Sequence, residues 1–186
     1  MNYHSVLFLS AIALVLAALV AAAAFALNRA RRSSRGEWED ILKRLAFIDR
    51  SHVQEIALDV IDSSGEPRKD DRSATLDSET IWTLIGGWKG LEALESNCAV
   101  LIDLAFYVQQ WYPEAVAVTE QLRMNAREIE WRISRLKIAR QTGKLENTIP
   151  MYAQQTIATY YLMTRRVLAL YEQGNLSMLA ELQRNI

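Results

Sequence analysis

The sequence predicts an all-α protein, with an N-terminal single transmembrane helix followed by an antiparallel bundle of four to five helices. Three observations lead there. Val6 to Leu27 is an unbroken run of 22 uncharged, mostly apolar residues. Beyond it, long stretches carry apolar residues three and four apart, the spacing of amphipathic helices. Only three prolines and seven glycines interrupt the 186 residues, and no stretch alternates apolar and polar residues as a strand would.

The anchor comes first. A helix of 22 residues rises about 33 Å, enough to cross a hydrocarbon core of about 30 Å. A cleaved signal peptide is the competing reading, and Ala24-Phe25-Ala26 resembles its cleavage site. Against it, Met1 to Ser5 contain no Lys or Arg, and the bases Arg29, Arg31, Arg32 and Arg35 follow the apolar run. Basic residues behind a span hold that side in the cytoplasm. The expected topology is N-terminus out and body in, at the plasma or inner membrane, with the bilayer itself as a partner. The four arginines serve as this topology signal, with anionic lipid head groups as a second use. Residues 1–28 thus form the N-terminal segment and anchor, 29–36 a basic juxtamembrane hinge, and 37–186 the cytoplasmic bundle. Ala17, Ala18 and Ala21 to Ala24 give the anchor small residues through which membrane helices self-associate.

With four of the 21 bases and none of the 22 acids in the first 35 residues, the body holds 17 bases against 22 acids. That mildly acidic balance argues against nucleic acid as a partner. A lone cysteine, Cys98, excludes an intrachain disulfide and suits a reducing compartment.

Ser34 and Glu37 have the spacing of a capping box, so the first bundle helix is expected from there to about Ser63. Trp38, Ile41, Leu42, Leu45, Ile48, Ile56 and Val60 would face the core. Residues 63–76, with Glu66-Pro67-Arg68-Lys69-Asp70-Asp71-Arg72, read as an exposed charged loop. A second helix is expected from an Asp77 N-cap to Tyr112. In it Leu84, Gly87, Leu91, Leu94, Cys98, Leu101, Ala105, Val108 and Tyr112 form a coiled-coil-like seam widened by Trp88 and Ile102. Pro113 either opens a new helix or kinks a longer one. The third helix runs through Leu122, Ala126, Ile129, Ile133 and Leu136 to Gly143. The fourth, capped by Thr148 with Pro150 in its first turn, buries Ala153, Ile157, Tyr160, Val167 and Tyr171 and stops at Gly174. Asn175 would cap a short last helix.

Glu37 to Asp62 holds seven acids and three bases, Glu120 to Lys144 the reverse. Opposite signs predict that these two helices lie side by side. The competing reading turns Arg123, Arg127, Arg132 and Arg135 toward lipid or a partner.

Catalytic machinery is scarce. Of two histidines, His4 falls across the membrane from the body, which excludes a paired-histidine triad or metal centre. There is no Glu-x-x-His pair for a di-iron site and no phosphate-binding glycine motif, so no cofactor and no metal is expected. Three residues of the second helix are the candidates for ligand binding: Glu95, Trp88 and Gln109. Each also has a structural role open to it, Glu95 in an ion pair with an arginine of the next helix and Gln109 in setting register. Gly86-Gly87-Trp88-Lys89-Gly90 fits either close packing or a pocket lined by Trp82 and Trp88. Cys98 is expected in the core, and His52 at the core edge with a hydrogen-bond partner. The function expected is a non-enzymatic, membrane-anchored scaffold or accessory protein that binds a protein partner or itself, presenting Trp111 and Leu104. The alternatives are a tethered small-ligand sensor and an enzyme acting on a membrane-associated substrate.

Overall fold

In the computed structural model, residues 38–62, 64–66, 75–176 and 178–186 are described. Seven helices form among them: α1 (Trp38–Leu42), α2 (Arg50–Val60), α3 (Ser78–Ile85), α4 (Gly87–Val108), α5 (Ala115–Gln141), α6 (Leu145–Gln173) and α7 (Leu179–Asn185). No strand occurs among the described residues, as the helical spacing predicts. No helix there is long and apolar enough to cross a membrane. The expected span Val6–Leu27, the four arginines behind it and the Ser34–Glu37 capping box lie outside the described residues.

The expected first helix is two helices. Asp49 stops a continuous run because its carboxylate accepts hydrogen bonds from the Ser51 and His52 amides, starting α2 as an N-cap. The break is then braced from α4. Buried Asn97 accepts from the Ala46 amide and donates to the Ala46 carbonyl, both at 2.8 Å, and donates to the Tyr160 hydroxyl at 3.2 Å. One side chain thereby replaces both helical partners that Ala46 lacks.

Asp77 caps α3 as expected, accepting from the Thr80 amide at 2.7 Å. The helix does not run on to Tyr112. Gly86 and Gly87 have φ values of 78° and 63°, and two consecutive left-handed residues turn the chain out of a right-handed helix. The corner is tight: a Cβ on Gly90 would stand 1.6 Å from the Ile85 carbonyl oxygen. Beyond it the predicted seam holds, with Leu91, Leu94, Cys98, Leu101, Ala105 and Val108 all buried. Pro113 separates α4 from α5 rather than kinking one helix.

The two longest helices end in the same way. At the end of α5, Lys144 N–H bonds the Ala139 carbonyl and Gly143 N–H the Arg140 carbonyl, with Gly143 left-handed at φ 70°. That is a Schellman motif. At the end of α6, the left-handed residue is Asn175 (φ 53°) rather than Gly174, and Leu176 and Asn175 bond back to Tyr171 and Glu172. Asn175 therefore closes α6 instead of capping the last helix.

Residues 37–186 make one compact unit in which α6 is central, packing against α2, α3, α4, α5 and α7. Basic α5 packs on α4 and α6, while acidic α2 packs on α6 and α3. The predicted side-by-side pairing of acidic and basic helices is thus not formed. Apolar faces decide the neighbours, because exposed ion pairs contribute too little to override them.

Candidate functional site

Two features of the surface stand out, a groove beside Trp88 and the outer face of α5.

The groove follows from the glycine corner. Gly86 and Gly87 bring the end of α3 against the start of α4, setting the Trp82 and Trp88 rings edge to face with centroids 5.3 Å apart. The Arg140 guanidinium lies 5.4 Å from the Trp88 ring centroid, a cation–π contact that reaches from the last turn of α5. The open groove beside them holds about 460 Å³ and is lined by Trp88, Glu92, Lys137, Arg140 and Gln141. Glu95 stands one turn below Glu92 and pairs with Lys137 at 3.6 Å, its side chain one-third exposed. The expected partner was an arginine of the next helix; a lysine of that helix takes the place.

Gln109 does not join them. It sits 14 residues past Glu95, about 21 Å along the axis at 1.5 Å per residue. There its amide donates to the Thr119 hydroxyl at 2.7 Å, and Thr119 donates to the Ala115 carbonyl. Gln109 thus ties the α4–α5 corner. Of the three candidates, Trp88 and Glu95 share one region and Gln109 does not.

The reactive groups elsewhere are engaged. His52 Nδ1 lies 3.0 Å from the Leu84 carbonyl, which can only accept, so that nitrogen carries the proton. Cys98 is buried, and loss of water followed by the charge of Glu95 pushes its thiol up to about 12. Burial likewise pushes the Tyr160 hydroxyl up to about 12, partly offset by the Asn97 hydrogen bond. No group of three or more His, Cys, Asp or Glu side chains suited to a metal ion occurs among the described residues.

The second feature lies on α5. Met124, Trp131 and Ile138 are 69%, 50% and 52% exposed. Seven-residue spacing lets a straight helix drift only about 20° per step, so the three form one strip along its outer side. The Trp131 ring packs edge-on against Tyr152 of α6 at 5.6 Å, and Arg135 covers it at 5.1 Å. Arg132 bonds Glu128 at 2.6 Å and the Thr159 hydroxyl at 2.8 Å, while Arg123 pairs with Glu120. Met151, at the start of α6, is exposed as well.

This strip replaces part of the surface expected from sequence. Trp111 is exposed as predicted, its ring edge-on to Tyr107, but Leu104 is wholly buried. The Tyr171 hydroxyl bonds the Leu104 carbonyl, and α6 covers the side of α4 that was expected to face out. Juxtamembrane Arg29, Arg31, Arg32 and Arg35 lie outside the described residues. No protein family, curated protein or solved structure compared with this chain matches it.

Proposed function

We propose that this chain is a single-pass, membrane-anchored helical scaffold or accessory protein, non-enzymatic, that binds a protein partner at the cytoplasmic face. The observation that carries the reading is the exposed strip Met124, Trp131 and Ile138 on α5. Large apolar side chains aligned on one outward face, rimmed by charges, mark a surface that another protein covers. The apolar run Val6–Leu27 supports the anchor, and Arg29, Arg31, Arg32 and Arg35 support the orientation.

The test replaces Met124, Trp131 and Ile138 together with glutamate in the full chain. The helical circular dichroism is expected to persist, because all three are half or more exposed and Trp131 gives up only its contacts with Tyr152 and Arg135, while complexes recovered from gently solubilised membranes disappear. Undiminished recovery overturns the reading. Orientation is tested separately. Replacing the four arginines with serine is expected to expose the body on both sides of sealed vesicles to added protease, where the unaltered chain exposes it on one.

The groove favours a second reading, a tethered small-ligand sensor. Lys137 and Arg140 beside the Trp88 face suit an anionic, planar molecule. A rise in melting temperature on adding such a compound, lost in Trp88→Ala, would support it.

A further inference from the structure

We infer that the apolar strip of α5 pairs with the same strip on a second copy of this chain, the two α5 helices running antiparallel about a two-fold axis at Trp131. This rests on the reading of α5 as an interaction face and names its occupant. A two-fold interface requires a surface that is its own complement. Met124 and Ile138 stand seven residues before and after Trp131, so reversing the helix lays the strip on itself. Each Met124 then meets Ile138 of the second copy, and the two Trp131 rings meet on the axis.

Charge supports the pairing. Of the bases in 131–141, Lys137 and Arg140 turn to Glu95 and Trp88 of α4 and Arg132 to Thr159 of α6, which leaves Arg135 beside the strip. An antiparallel pair places Arg135 against the half that holds every acid of the helix. Glu128 and Arg135 lie seven residues apart on one flank of the strip, three before Trp131 and four after it. Reversal brings each Arg135 beside Glu128 of the second copy. Glu128 holds Arg132 through Oε1 and is half exposed, which leaves its outer side to that contact. Arg127, on the opposite flank, falls opposite Ser134 rather than another base.

Cys98 is the sole cysteine and is buried, so introduced thiols report without background. In the full chain in phospholipid vesicles, oxidation of Trp131→Cys is expected to give a disulfide-linked dimer. Met124→Cys and Ile138→Cys are expected to cross-link with each other when mixed, and neither with itself. Glu128→Arg alone is expected to weaken self-association about tenfold, and the exchange Glu128→Arg with Arg135→Glu to recover it. Self-linking of Met124→Cys without the mixed product means a parallel pair and overturns the inference. Failure of all three thiols to link overturns it too. If the triple glutamate variant then still loses its complexes, a different protein covers the strip and the scaffold reading stands. If those complexes persist, both fall.

Discussion

Asn97 shows how one side chain can decide a boundary that periodicity cannot. The apolar spacing from Trp38 to Val60 continues across the break at Ala46, so a single helix is the natural reading of the pattern. What holds the break is a polar group 51 positions away, buried where no solvent competes for its hydrogen bonds. The local sign was Asp49 with Ile48 before it and Val53 four residues into α2, the positions of an N-cap and its hydrophobic staple. Asn97→Ala is expected to destabilise the fold by about 2–3 kcal/mol in urea unfolding, since Ala46 loses both partners. Amide exchange is expected to accelerate first at residues 45–48. The glycines of the α3–α4 corner separate by mechanism. A Cβ on Gly86 meets nothing within 4 Å, so Gly86→Ala carries only the left-handed backbone penalty of about 1–2 kcal/mol. Gly90→Ala drives a methyl into the Ile85 carbonyl and is expected to exceed it, at about 3 kcal/mol or more. Equal melting temperatures for the two variants would contradict this.

Between elements, the clearest exchange of partners surrounds Pro150. It lies in the second turn of α6 and has no N–H for the Glu146 carbonyl. The Ser78 hydroxyl, from the first turn of α3, donates to that carbonyl at 2.9 Å. Proline thus frees an acceptor that joins two helices. Ser78→Ala is expected to lower stability by about 0.5–1 kcal/mol, and by less in a Pro150→Ala background, where the helix supplies its own donor. Additive losses in the double-mutant cycle would sink the idea. Pro150 also explains why Thr148 misled as an N-cap. Proline favours a first turn, but α6 starts at Leu145, and the Thr148 hydroxyl donates to the Lys144 carbonyl from inside the helix. The long helices and their buried positions were legible because a 3.6-residue period survives in the sequence. Their neighbours were not, since Leu104 looks outward until α6 lies over it. The Trp88–Glu95 region was visible as polar and glycine residues in a seam; the α5 strip was missed because an apolar residue every seven positions reads as core on either side of a helix.

At the scale of the molecule, four aspartates among the described residues contribute to the response to acid. The Ser51 hydroxyl holds Asp49, the Ser64 hydroxyl Asp62 and the Thr80 amide Asp77 below the usual value of 3.8. Burial works against Asp59, yet hydrogen bonds from the hydroxyl and amide of Thr75, Leu76 N–H and the Gln154 amide hold it down as well. Because each binds protons more weakly folded than unfolded, their stabilisation is complete above the unfolded value and fades as pH falls through the folded ones. Denaturation midpoints are expected to stay level from about pH 7 to 5 and drop below about pH 4. In Asp59→Asn the acid-side drop should be shallower. The central place of α6 has a consequence in time. It is made after α4 and α5, and α2 packs chiefly on it. At about 5–20 residues per second, some 5–20 s separate the synthesis of Arg50 from that of Leu145. For that interval the apolar faces of α2 and α3 have no permanent cover, the cover is complete only once Gln173 is made, and a ribosome stalled before Leu145 releases a product that cannot close its own core.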